Sequence, residues 1–555
     1  MLTYIPPEKK SPPKLPKKPW LLVCLTFIWL WTGIIGKNLW DNEELQLYSY
    51  VGSILDTHQW LLPTIYGVPY LSSSPLFLWL GAISKWFFTQ LGVSNYLAIR
   101  LLTLFLMSFD LFLLAISAKN FLGRYQGRLV VLITIGCIGI IIFGHQISSL
   151  PLLLLSLALY SYAISQWHSQ RIFLTGFQVA LSWTIAFYTQ NLPPLILLVS
   201  LSLLLLLHPS WRTRPYYLIL LVSFAVFLPL ASLWLSALYV SNPSHFYFWL
   251  ANYSLGAYGG LKNLKVAFAG IYYLKNMLWY AFPAWLIAAW ALTKLKAESY
   301  RNPTYFFFLL WLILGFLLIC FQEEPANNQL IFIIPPLTFL AAVRIDSLKR
   351  GWAAFLNWLG IATFGSVALF IWLEYFAINL LLSKALSERA SYFNPHYVPH
   401  ISIFSILTAL AFTPIWLYAV SRKSIEGRHA INNWATGVTF IWLLNCTLFL
   451  SWWNTNKAHQ PLVSELEHML PTSFQKKLQK KQICVDSDNL EALIIWNQYG
   501  HFPVHSAIPP ASSRCRYHLS LGSQTTLQIK TPTVKIIYGR AQARRKNRFF
   551  IIWKS

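Results

Sequence analysis

Asp41, Glu43 and Glu44 fall within four residues of one another in a chain that holds only 18 acidic residues among 555. A positioned carboxylate can take a proton from an attacking hydroxyl, which contributes about 10²–10⁴ in rate. The same residues can serve structure alone. Asp41 or Asn42 as the N-cap of a helix would be ordinary, and acids in a first turn suit the helix dipole. Consecutive residues on a helix point about 100° apart, so Glu43 and Glu44 cannot both face one site.

The elements that must position these acids are apolar. Hydrophobic residues make up 56% of the chain, aromatic residues 17% and charged residues 11%, with a mean hydropathy of +0.50. No soluble domain of this length needs so much apolar surface, so the chain reads as an all-α polytopic membrane protein. Residues 1–19, rich in Pro and Lys, read as a disordered cytoplasmic tail. About thirteen spans follow, each of roughly the length a bilayer requires. They lie near 20–36, 99–118, 127–145, 150–166, 172–188, 192–208, 216–239, 271–293, 304–321, 329–343, 352–378, 401–420 and 433–453.

The segment 75–92 is ambiguous, and charge decides it. If it does not cross, the cations of 119–128, 171, 212–214, 294–301, 344–350 and 422–428 all face the cytoplasm, as the positive-inside rule requires. If it crosses, every loop reverses and the rule fails. Residues 75–92 are therefore expected as an interfacial helix, with Lys85 snorkelling. The loop 37–98 and the C-terminus then lie on the exoplasmic side.

From 454 to 555 the composition turns polar and reads as a small exoplasmic α/β domain. Strands are expected at Gln482–Asp486, Val534–Tyr538 and Phe549–Trp553, and a helix at Asn489–Gln498. The formal net charge of +25 is explained by topology and by a basic tail, and no nucleic-acid motif accompanies it. Cys484 and Cys515, both in the polar tail, are a disulfide candidate in an oxidising compartment. No His/Asp cluster has ligand spacing, so no cofactor is expected; a divalent metal is left open.

The order of features around the acids is more specific than their composition. The acids lead into an aromatic-bearing helix, then Gln59-Trp-Leu-Leu-Pro63, Tyr66-Gly-Val-Pro-Tyr70 and Pro75-Leu-Phe-Leu-Trp79. This resembles the first exoplasmic loop of lipid-linked-sugar glycosyltransferases of the GT-C type, the group of aminoarabinose transferases and protein O-mannosyltransferases. The resemblance is motif-specific only at 40–80 and extends in layout over about 20–345. It implies that Glu43 takes the place of the catalytic Asp and is the base. Glu44 is then its orienter or a cap, and Asp41 the fallback. It also implies a substrate-binding role for Tyr70, and places the family's phosphate-binding Lys on Ser73, a second Asp on Ser149 or Leu150, and a Lys-Gly on Gln190-Asn191. All three positions are uncharged here. His58, His145, Lys262 and Lys265 are candidates to replace the missing cation, and Glu374, near the exoplasmic end of its helix, is a cavity candidate.

The implied activity is transfer of a sugar from a polyprenyl-phosphate donor to a lipid, glycan or protein acceptor of the cell envelope. The expected setting is the plasma (inner) membrane, as a monomer among membrane lipids. A catalytically inactive lipid-glycan binder and a lipid-linked glycan transporter stay open as alternatives.

Overall fold

The computed structural model describes residues 20–469 apart from 66, 73, 169–170, 295–300, 381–384, 389–393, 395–396 and 422–426. Beyond 469 it describes 483–485, 490–501, 504–506, 517–523, 532–538 and 548–554. The expected tail 1–19, Ser73 and Cys515 lie outside the described residues.

Among the described residues, 6 helices are long and apolar enough to cross a membrane. They are α4 (Asn95–Leu122, numbered below), Ile172–Gln190, Arg214–Ser241, Pro303–Cys320, Arg350–Leu380 and Ile403–Val420. A seventh candidate joins Gly427–Leu448 to Leu450–Lys457 across a 73° bend. Shorter apolar helices occupy Trp20–Trp31, Gln126–Gly136, Leu150–Ile164, Leu192–Leu207, Ala284–Thr293 and Asn327–Val343. Each apolar segment expected from the sequence thus holds a helix, and the chain has a polytopic helical membrane fold.

Burial separates the core of this bundle from its rim. In Leu150–Ile164 every residue except Tyr162 is buried, as expected of a helix apolar all round at the centre of a bundle. The Ser161 hydroxyl donates to Ser117 Oγ at 3.0 Å, satisfying a polar pair where no water is at hand. At the rim, Ile403–Val420 exposes Phe404, Leu407 and Tyr418, surface that only lipid can cover. Three expected spans are broken: 127–145 at Cys137, between Gln126–Gly136 and Ile138–Phe143, 433–453 at the 73° bend, and 271–293. The segment 271–293 forms Gly270–Tyr280 and Ala284–Thr293, with Pro283 at the join, where its missing N–H breaks no helical bond.

Four elements position the acidic loop: α1 (Trp20–Trp31), α2 (Asn42–Thr57), α3 (Leu76–Gln90) and α4 (Asn95–Leu122). Between α2 and α3 runs a two-stranded antiparallel ribbon, β1 (Thr64–Ile65) and β2 (Val68–Pro69). The 15 residues of α3 lie against α2 and α4. Gly81 permits that closeness, since a Cβ there would meet Val51 Cγ2 at 2.8 Å. Lys85 does not simply reach outward: its ammonium sits 5.2 Å from the ring of Tyr48 on α2.

The C-terminal segments form a sheet of five strands in the order β4-β3-β5-β7-β6. These are β3 (Ile483–Val485), β4 (Val504–Ser506), β5 (Tyr517–Ser523), β6 (Pro532–Tyr538) and β7 (Arg548–Lys554). β3 pairs in parallel with β4 and β5, while β7 runs antiparallel to β5 and β6. The three expected strands and the expected helix, observed at Leu490–Tyr499, are present; β4 and β5 are additions. Cys484 lies in β3.

Candidate functional site

The site begins with the way α2 starts. Asp41 is the N-cap, with extended backbone and a carboxylate accepting the Asn42 N–H at 2.8 Å. Two residues on, Glu43 turns into a cavity; three on, Glu44 turns into the protein. This is the 100° divergence that adjacent helical residues must show.

Glu44 is 1% exposed and fully engaged. Its Oε2 accepts the Trp40 N–H at 2.9 Å, bridging back over the helix start. Its Oε1 accepts the Ile147 N–H at 2.9 Å and lies 3.5 Å from Lys37 Nζ and 3.6 Å from Arg100 Nη2. Burial pushes its carboxyl up, but the two cations and two backbone donors outweigh this and hold it below the ordinary carboxylate value. Arg100 also donates to the backbone oxygens of Lys37 and Asn38. Glu44 therefore ties the loop after α1, the start of α2, α4 and the loop before Leu150 together. Glu44 has no place on the cavity wall.

Glu43 faces a cavity of about 560 Å³. From the first loop the wall takes Glu43, Gln46, Leu47, Tyr70 and Ser72. Ser149, Gln190, Asn191 and Tyr253 contribute from three further segments, and Gln322, Glu323, Glu324 and Gln329 close it. Among the described residues, the Glu43 carboxylate has no hydrogen-bond or ion-pair partner. Its side chain is exposed to the open cavity, with protein packed around its base; that partial enclosure, with the charges of Asp41 and Glu44, pushes its pKa up to about 7. Water in the open cavity tempers that desolvation, and a ligand filling it deepens it.

Asn191 joins three walls of the cavity. Its Nδ2 donates to the backbone oxygens of Ser72 at 3.2 Å and Tyr253 at 2.9 Å, and its Oδ1 accepts from Ser74 Oγ at 2.8 Å. The residue has φ of +62° and ψ of −138°, outside the left-handed helical region that Asn tolerates and in one that favours glycine. The position matched to the glycine of a Lys-Gly pair thus has a glycine-type backbone, with an amide added that knits the loops. A second such place is Gly259, φ +81°, where a Cβ would stand 2.5 Å from Glu323 Oε2.

The structure sorts the residues singled out from the sequence. Glu43, Tyr70, Ser149 and Gln190 share the cavity. Lys265 reaches its edge indirectly, pairing with Glu323 at 2.9 Å. His58 is the exposed C-cap of α2, with φ of +58°, and Lys262 is exposed away from the wall. His145 is buried, its two ring nitrogens 2.7 Å from the backbone oxygens of Ile141 and Trp29, so it braces the core. Glu374 lies on Arg350–Leu380 and does not line the cavity. The expectation that His58, His145, Lys262 or Glu374 reaches the site is corrected here: a lone polar residue carries no local sign of the wall it will face. Among the described lining residues there are three carboxylates and no cation.

Lys37, Arg100 and Gln322 were not foreseen. Arg100 had a signal: a cation at the outer end of an apolar helix breaks the topological pattern and calls for a buried carboxylate. Among the described residues no group of three or more His, Cys, Asp or Glu could hold a metal ion.

Against known proteins, no protein-family model matches the sequence. Over 426 residues it is 23% identical to an undecaprenyl phosphate-alpha-4-amino-4-deoxy-L-arabinose arabinosyl transferase of Shewanella sediminis, covering 74% of this chain and 73% of that protein. A protein of the same description from Pectobacterium atrosepticum is 23% identical over 325 residues, 56% of each chain. The crystal structure of ArnT from Cupriavidus metallidurans bound to undecaprenyl phosphate superposes with a TM-score of 0.66 at 14% identity, covering 97% of this chain and 98% of that one. The apo oligosaccharyltransferase of Archaeoglobus fulgidus gives 0.51 at 12% identity, covering 91% and 70%. The fold is the one these membrane proteins share.

Proposed function

We propose that this divergent relative of the GT-C-type, lipid-linked-sugar glycosyltransferases transfers a sugar from a polyprenyl-phosphate donor to a hydroxyl-bearing acceptor of the cell envelope. The reading places the cavity on the exoplasmic side of the plasma membrane, in a chain of about thirteen spans with a cytoplasmic N-terminus and an exoplasmic C-terminus.

One observation carries the proposal. A carboxylate without a partner among the described residues, its pKa raised to about 7, opens into a cavity at the position where the resemblance puts the catalytic acid. In the reaction, Glu43 accepts the proton of the acceptor O–H as its oxygen attacks the anomeric carbon. The bond from that carbon to the phosphate oxygen breaks, and polyprenyl phosphate leaves with the bonding pair. A carboxyl raised above its ordinary value is a stronger proton acceptor than an ordinary carboxylate and better matched to this task. Glu44 acts through position only, by fixing the start of α2.

A second reading is favoured by the cavity's charge. Three carboxylates and no described cation on the wall form a poor seat for a dianionic leaving phosphate, as an inactive lipid-glycan binder would show. Incubating the purified full chain with labelled polyprenyl-phosphate sugars and cell-envelope acceptors separates the two. Release of polyprenyl phosphate, abolished in Glu43→Gln, supports transfer; binding without release supports the binder.

A further inference from the structure

Gln322 is 1% exposed and lines the cavity, and its side-chain Nε2 has no partner among the described residues. The orientation of that amide is fixed by its neighbours. Tyr273 Oη accepts the Ala326 N–H at 3.2 Å, so its own proton is free to go to Gln322 Oε1 at 3.0 Å. With the carbonyl end spoken for, the N–H₂ end is left as a buried donor at the cavity wall. Native proteins seldom leave such a donor unmet, because its desolvation is not recovered.

Glu323 and Glu324 line the same cavity, beside Gln322 in sequence. A cavity that offers a donor and two carboxylate acceptors, one of them also holding Lys265, suits a group that both accepts and donates. A sugar hydroxyl does so, taking the amide N–H on its oxygen and giving its own proton to a carboxylate. A phosphate only accepts, and carboxylates repel it. We infer that Gln322, with Glu323 and Glu324, forms the sugar end of the cavity and holds the hydroxyls of a sugar ring, while the phosphate sits away from it. This assignment rests on the lipid-linked donor proposed above.

The test is the affinity of the purified full chain for three probes: undecaprenyl phosphate, undecaprenyl-phosphate glucose and undecaprenyl-phosphate mannose. The parent is expected to bind at least one glycosyl ester more tightly than the bare lipid. Gln322→Leu and Gln322→Glu are expected to weaken that ester about tenfold, the worth of one buried hydrogen bond, and to leave the bare lipid unchanged. Gln322→Glu keeps both size and the bond from Tyr273, so it guards against a folding defect in the Leu variant, and thermal melts check both. Tyr273→Phe, which frees the amide to rotate, is expected to lose less in the same direction. Equal weakening of ester and bare lipid, no weakening at all, or a parent that binds neither ester better than the bare lipid overturns the sugar end alone. A parent that binds none of the three probes overturns the lipid-linked donor, and this inference with it.

Discussion

Glu43 and Glu44, consecutive in the first turn of α2, hold their carboxyls in opposite electrostatic states. Glu44 is drawn below the ordinary value by Lys37, Arg100 and two backbone donors, despite its burial. Glu43 is pushed up to about 7 by enclosure and by its acidic neighbours. Paired environments that drive like groups apart are how one fold separates a working acid from a structural one.

Replacing Glu43 by Gln keeps shape and hydrogen-bonding capacity and removes the base. Turnover is expected to fall by about 10²–10⁴, with donor affinity unchanged. Sugar release under single-turnover conditions, beside a binding measurement, checks this. Parent-like turnover would remove Glu43 from the chemistry.

The pH profile follows from the direction of the Glu43 shift. The base acts when ionised, so kcat/KM should rise through pH about 7 and level off above it. An ascending limb near the ordinary value of 4.5 would contradict this. The same shift bears on stability: a carboxyl raised in the folded state contributes stability below its unfolded pKa, lost as pH rises through the folded one. Glu43→Gln should therefore raise the melting temperature relative to the parent at pH 8, and not at pH 4.

Glu44→Gln should injure the fold. It leaves Lys37 and Arg100 facing an amide in a buried site, a loss on the order of 3–5 kcal/mol for a broken buried pair. Thermal melts in detergent measure it, and residual activity should track the folded fraction. Because the Glu44 pKa is lowered, its contribution is present above the ordinary 4.5 and is lost as pH falls through the lower folded value. Wild-type melting near neutral pH in Glu44→Gln would show the cluster to be dispensable.

Ser72 is exposed on the cavity wall, so a cysteine placed there reports its side of the membrane. A membrane-impermeant thiol reagent added outside intact cells is expected to label Ser72→Cys. Labelling only after the cytoplasm is opened would reverse the topology.

How much of this was legible in the sequence depended on how local the cause was. The acid cluster, the cap at Asp41 and the apolar helices are written in neighbouring residues, and they appear where expected. The break at Pro283 was missed because hydropathy averages across a proline. Strands β4 and β5 escaped because β4 has 3 residues and β5 gains its partners only from β3 and β7. At the site, the tie between Arg100 and Glu44 and the turn of Gln322 toward the cavity are tertiary facts. Arg100 and Glu44 stand far apart in the chain, and the freedom of the Gln322 amide depends on Tyr273 and Ala326. No periodicity encodes them.

The start of α2 is also held from the far end of the polypeptide. Asn454 accepts the Asn38 N–H at 2.9 Å and the Trp40 indole N–H at 2.8 Å, and donates to Gly36 O at 2.8 Å. His459 Nε2 lies 2.9 Å from Asn42 Oδ1, and Glu491 accepts from Asn42 Nδ2 at 2.5 Å. A ribosome delivers the helix of Glu43 before its clamps, which follow their partners by 414 to 449 residues. The nascent protein must therefore carry α2 unclamped until those residues have been made, and a product released before them leaves it so. Whether the acid-bearing helix is held is thus decided by residues made long after it.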